Sequence, residues 1–239
     1  MAENLETAVT SAAPLKQRCI AIRIENVTVT GGWALALLIV IPALVVTAII
    51  YAKPSLGMLL SGGLWFAFVL NWGRAAKKAP AAKRSEPANS RRFHVLLLCA
   101  SILLLFLPIP FLTRRFLAAS SWMVPAGLSL QAAFFLLAAW SRRHLGRNWG
   151  AAVTIKENHQ LVRSGPYRVA RHPIYTGMLG MALATALVSG SWHALLGFAL
   201  MAAAYSRKIR MEERILEENF GAAYRDYRKH SWALVPGLF

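Results

Sequence analysis

Apolar runs of membrane-spanning length recur along the chain, each bounded by a short polar or basic stretch. They are residues 31–50, 55–72, 93–112 and 121–140. A bilayer core takes about 20 apolar residues as a helix, so each run predicts one crossing. A fifth run, 174–206, is too long for one ordinary span, and "VSGSWH" at 188–193 reads as a turn within it. The spacing therefore predicts a helical hairpin over 174–206 and six crossings, with one long kinked or tilted helix as the alternative. The expected fold is all-α, a polytopic membrane helix bundle of about five to six transmembrane helices. Its segments are an N-terminal cytoplasmic stretch 1–30, a four-span region 31–140 with a basic linker at 73–92, and a C-terminal region 141–239. The linker core "KKAPAAKRSEPANSRR" (77–92) is polar and rich in Pro and Ala, which predicts a mobile connection whose cations rest on anionic lipid heads.

Composition supports the membrane assignment. Of 239 residues 56% are hydrophobic and only 15% charged, against about 25% charged in soluble domains. The net charge of +17 would suit a nucleic-acid binder, but its distribution argues otherwise. Three Lys and Arg lie in 1–30, seven in 73–92, seven in 141–173 and seven from Arg207 onward, whereas only Lys53, Arg114 and Arg115 fall in the alternate loops. That asymmetry is the positive-inside signature of a multi-pass protein with both termini cytoplasmic, as in a bacterial inner membrane. It accounts for the charge without nucleic acid. The two cysteines, Cys19 and Cys99, lack metal-ligand spacing and read as small buried hydrophobes. No metal site is expected.

The polar chemistry gathers at one boundary. "GPYRVARHPIYTG" (165–177) precedes the fifth run, and a charged tail follows the sixth. Gly165-Pro166 signals a turn. Pro173 suits the first position of a helix, which places His172 at the helix mouth, where anions are favoured. Gly177 and Gly180 leave one strip of that helix open to close approach. In the tail, Ile209, Glu213, Leu216, Phe220, Tyr224 and Tyr227 recur at helical spacing, with Gly221 as an interruption. Glu213 falls on this apolar stripe beside Glu212. A carboxylate there needs a cation or donors, and Arg171 and His172 are the candidates. Glu217 and Glu218 read as solvated helix-surface pairs, such as Arg214 with Glu218.

"LVRSGPYRVARHPIYTG" with "EERILEENFGAAYRDY" resembles the isoprenylcysteine carboxyl methyltransferase family, and more broadly the phospholipid methyltransferases, over about the last two-fifths of the chain. The resemblance implies an integral membrane methyltransferase that uses S-adenosylmethionine, held in a cytosolic-face pocket formed by the C-terminal third. It implies that Gly165, Pro166, Tyr167, His172, Tyr175, Gly177 and Glu213 line the cofactor pocket. It also implies that Arg171, Arg210 and Glu213 stand nearest the chemistry, with Arg171 or Arg210 orienting the acceptor. The acceptor would be a lipophilic small molecule or lipid reached from the bilayer. A carboxylate acceptor is ionised already, whereas a thiol, phenol or amine benefits from a base such as His172 or Glu213. Two other classes compete. Membrane sterol reductases that use NADPH share the fold type, but the Cys expected in their tail is missing here. A non-enzymatic carrier would place charges at mid-membrane, where these spans have almost none.

Overall fold

A computed structural model describes residues 21–24, 27–30, 54–76, 84–85, 87–149, 154–155 and 160–237. The chain divides into two compact units, Met1–Leu44 and Val45–Phe239. The first contains an antiparallel pair, β1 (Ala21–Ile24) and β2 (Val27–Thr30), with Ala21 opposite Thr30 and Ile24 opposite Val27. Its β-branched residues suit a strand. The sequence predicts only an N-terminal cytoplasmic segment for this stretch. The apolar run 31–50 lies outside the described residues, as does Cys19.

The second unit is helical. It comprises α1 (Leu56–Ala76), α2 (Ala88–Phe106), α3 (Met123–Leu145), α4 (Pro173–Ser189), α5 (Trp192–Phe220) and α6 (Ala222–Lys229). Among the described residues, three helices are long and apolar enough to cross a membrane: Leu56–Ala75, Asn89–Phe106 and Met123–Leu145. At most 28% of the apolar window of each is buried. Phe66, Leu96 and Leu136 point outward, as lipid-facing side chains do. Cys99 also lies on this outward surface, so it is not the buried hydrophobe expected from its apolar surroundings.

The basic linker is not wholly irregular. α1 runs into its start and α2 begins before its end, and Arg84–Ser85 (β3) pairs antiparallel with Thr154–Ile155 (β4).

α4 is the central helix, with Met181, Ala182, Ala184, Thr185 and Ala186 fully buried. It approaches α3 closely along its glycine strip. A Cβ on Gly177 would lie 2.7 Å from the Ala138 Cβ, and one on Gly180 would fall within the Phe134 ring. The strip thus receives a neighbouring helix, the small-residue packing common between membrane helices. Thr185 of α4 also anchors a buried polar knot. Its hydroxyl meets Ser61 Oγ at 3.1 Å and accepts from Trp65 Nε1 at 3.0 Å, and Gln131 Nε2 donates to the Ser61 carbonyl at 3.0 Å.

The 174–206 run is two helices joined at Gly190 and Ser191. Gly190 ends α4 with a φ of 65°, and a side chain there would collide with Arg115. Arg115 Nη1 donates to the Ser189 carbonyl at 3.1 Å, a cation placed at the negative end of α4. The backbone of 114–116 adds bonds from Phe116 N to the Gly190 carbonyl and from Trp192 N to the Arg114 carbonyl. α5 then runs for 29 residues, roughly 43 Å, which carries its polar second half past the apolar zone.

Gly180→Val is expected to destabilise the bundle by about 1–3 kcal/mol through overpacking on Phe134. Thermal unfolding of the detergent-solubilised protein checks this. The paired truncation Phe134→Ala with Gly180→Val should recover part of the loss.

Candidate functional site

Three segments meet at the mouth of α4: the loop 164–172, the polar half of α5, and the tail beyond α6. Pro173 starts α4 and His172 is its N-cap, with φ −124° and ψ 56°. The tail returns alongside and forms an isolated parallel bridge between Trp232 and Ala170. Trp232 N donates to the Val169 carbonyl at 3.0 Å, Arg171 N to the Trp232 carbonyl at 2.8 Å, and His172 N to the Ala233 carbonyl at 3.0 Å. Thr176 Oγ1 donates to the Leu234 carbonyl at 2.9 Å. These bonds satisfy backbone N–H groups that would otherwise be orphaned at the helix entrance.

Charge pairing fixes the side chains. Arg171 Nε donates to Glu213 Oε1 at 2.7 Å, with both side chains largely buried, at 8% and 11% exposure. Its Nη1 donates to the carbonyls of Arg228 and Ser231. His172 sits between two carboxylates, its Nδ1 3.4 Å from Glu212 Oε2 and its Nε2 3.4 Å from Glu213 Oε1. The second contact is not aligned as a hydrogen bond, so Nε2 is buried without a hydrogen-bond partner. Tyr175 OH donates to Glu212 Oε1 at 2.7 Å, and its ring stacks on His172 with centroids 5.6 Å apart. Arg228 Nε lies 3.8 Å from Glu213 Oε2.

Burial would disfavour the imidazolium, but Glu212 and Glu213 on either side raise the His172 pKa. Burial would likewise raise the Glu213 carboxyl, yet His172 and Arg171 hold it down at about 2. Glu212 is also lowered, by His172, Lys208 and Tyr175 against its burial. These shifts favour the charged form of each of the three groups.

The Gly165-Pro166-Tyr167 turn forms one 3-10 turn, Gly165–Arg168. Gly165 has a φ of 58°, and the His144 ring covers it so closely that a Cβ would come within 2.6 Å of Cε1. His144 Nε2 pairs with Ser164 Oγ at 2.9 Å. The Tyr167 carbonyl accepts from Tyr227 OH at 2.5 Å, while the Tyr167 hydroxyl is buried without a partner. Tyr224 OH is likewise buried and unpartnered.

Most residues named from the sequence thus converge. Pro166, Tyr167, Arg171, His172, Tyr175 and Glu213 surround one corner. Gly177 faces α3, so packing accounts for its lack of a side chain. Arg210 lies on the exposed face of α5. Arg171 commits its guanidinium to Glu213 and two carbonyls, which leaves it a structural clamp more than a free hand for a substrate. Glu217 pairs across the Gly221 break with Arg225 at 3.7 Å and Arg228 at 3.9 Å. Sequence reasoning missed the full part of Glu212, which touches both His172 and Tyr175. The wheel put only Glu213 on the buried stripe, yet adjacent helix positions can straddle a ring presented end-on. It also missed the returning tail at 231–234, whose only signal was the apolar "WALV" (232–235) after a charged helix.

The comparisons bear out the family resemblance. Residues 122–223 match the family model of phospholipid methyltransferases. A Dictyostelium discoideum protein-S-isoprenylcysteine O-methyltransferase is 32% identical over 35% of this chain and 35% of its own. The cobalt-zinc-cadmium resistance protein CzcN of Cupriavidus metallidurans is 33% identical over 49% of this chain and 53% of its own. Methanethiol S-methyltransferase 2 of Bradyrhizobium diazoefficiens is 42% identical over 30% of this chain and 27% of its own. The chain thus spans about half or less of the length of these curated relatives. A solved eukaryotic intramembrane Ras methyltransferase aligns over 61% of this chain and 53% of that one, with 24% identity and a TM-score of 0.49.

The opposed pKa shifts give a stability window. Glu213 is depressed, so its contribution is complete above its ordinary value of 4.5 and is lost as pH falls toward about 2. His172 is raised, so its contribution is complete below 6.5 and is lost as pH rises through its folded value. Melting temperature in detergent is expected to peak between these limits. Glu213→Gln should flatten the acid limb and bring the alkaline fall to lower pH.

Proposed function

We propose that this chain, whose C-terminal half carries a phospholipid methyltransferase-type region, is an S-adenosylmethionine-dependent integral membrane methyltransferase acting on a lipophilic acceptor. The observation that carries the reading is the set of buried polar atoms that lack an aligned hydrogen bond around the charged corner. They are His172 Nε2 and Tyr167 OH of the loop 164–172 and Tyr224 OH of α6. Buried polar atoms are normally satisfied, so three together point to a ligand.

The residues fit the proposed donor. It carries a carboxylate, an ammonium group, an adenine and a sulfonium, and it supplies a methyl group activated by that positive sulfur. His172, held as a cation at a helix N-terminus, is suited to a carboxylate. Glu212 and Glu213, held ionised, are suited to the ammonium group. The stacked rings of His172 and Tyr175, with Tyr205 tilted against Tyr175, offer an aromatic wall, of which the tyrosine faces suit a cation. Fixed charges and a largely buried site align the donor and exclude water, and in-line methyl transfer draws its rate from that alignment. The positive-inside bias supports both termini being cytoplasmic in a bacterial inner membrane, with this corner on the same side.

The test is calorimetric titration of S-adenosylhomocysteine into detergent-purified protein, with NADPH as the control ligand. Micromolar binding to the wild type is expected. His172→Ala should weaken it by at least tenfold, the loss of a buried charged contact. Binding of NADPH in its place, with no response to S-adenosylhomocysteine, would overturn the reading.

A further inference from the structure

A second histidine faces this corner from a helix outside the matched region. His94 of α2 is 4% exposed, and both of its ring nitrogens are buried without a hydrogen-bond partner. The Ala204 backbone makes at most a weak polar contact with the ring. The ring meets Tyr205 edge-on at 5.4 Å between centroids. Tyr205 in turn lies 4.8 Å from Tyr175, which stacks on His172. The charged groups facing His94 are Arg207, Lys208 and Glu212, all from α5. Arg207 is tied to α2 through Ser90 Oγ at 2.9 Å, and Lys208 Nζ sits 5.7 Å from the Tyr175 ring centre.

The two histidines differ in surroundings. His172 is held between two carboxylates, which favour its protonated form. His94 has no hydrogen-bonded carboxylate, has two cations beside it, and keeps both nitrogens unspent. A buried imidazole left in this state is costly unless something binds it. A carboxylate acceptor would have no use for such a group, because it arrives ionised. A thiol or phenol has a proton to lose, and nearby cations stabilise the anion as it forms.

Resting on the methyltransferase reading, we propose that the acceptor is a lipophilic thiol or phenol and that His94 is the base that takes its proton. The acceptor X–H bond breaks with its proton passing to a His94 nitrogen. X forms a bond to the donor methyl carbon as the carbon–sulfur bond breaks, and its electron pair stays on sulfur. The proton then leaves His94 to water, so donor and X–H give X–CH3, a neutral sulfide and one proton. Arg207 and Lys208 stabilise the transient anion.

The test uses the full chain in detergent with octanethiol, which is protonated near neutral pH, and thiophenol, which is largely ionised at mildly alkaline pH. His94→Gln is expected to slow octanethiol methylation by about 100-fold or more. Thiophenol should slow by no more than about threefold, because an ionised acceptor needs no base. S-adenosylhomocysteine affinity should stay unchanged, which also reports that the variant is folded. A readout independent of turnover, and of the variant's folding, is para-nitrophenol bound to the wild-type protein loaded with S-adenosylhomocysteine. It should show the visible phenolate band below its solution pKa. Equal loss on both thiols, unchanged octanethiol turnover, or the absence of the phenolate band would overturn the proposal. So would methylation of the N-acetyl-S-farnesylcysteine carboxylate with neither thiol accepted, and that result would leave the methyltransferase reading standing. Failure to bind S-adenosylhomocysteine would defeat both.

Discussion

A carboxylate buried against a guanidinium and an imidazole constrains the whole C-terminal half. Glu213 lies 2.7 Å from Arg171 and 3.4 Å from His172. Removing one partner of such a pair strands the other charge, at a cost of about 3–5 kcal/mol. The pair therefore ties the mouth of α4 to the polar second half of α5. Arg171 extends the tie to the tail through the Ser231 and Arg228 carbonyls. One cluster of charges thus positions the loop, two helices and the returning tail that together form the site.

The membrane part of the fold serves the same end. The small residues of α4 let it sink against α3, and the Gly190 turn, capped by Arg115, sends α5 back alongside it. The length of α5 brings Lys208, Glu212 and Glu213 to the level of the α4 mouth. Rigid helices below and a charge-locked corner above make a site whose groups need not reorganise when a ligand arrives, the condition under which fixed charges are most effective.

Much of this was legible in sequence because it rests on local signals. Hydropathy marked the spans at 55–72, 93–112 and 121–140, and the "VSGSWH" turn marked the α4–α5 reversal. The Arg-His-Pro triplet placed His172 at a helix mouth, and helical spacing put Glu213 on a buried face. Contacts between distant segments were not legible. Nothing in residues 231–234 announces that their carbonyls satisfy the Arg171 and His172 N–H groups. Glu212 entered only as the neighbour of Glu213, because a wheel cannot show a ring wedged between two adjacent positions. His94 lay unremarked within an apolar run, since its lack of partners is a property of packing alone. The β1–β2 pair lies in a short alternating stretch that the membrane pattern overshadowed.

The account stands most directly on where the methyl donor sits. Photo-crosslinking of methyl-tritiated S-adenosylmethionine to the purified full-length protein, followed by peptide mapping, locates it. The account predicts label in the peptides spanning 164–175 and 205–228, abolished by excess S-adenosylhomocysteine. Competable label confined to α1, to α3 above His144, or to the 114–122 loop would contradict it.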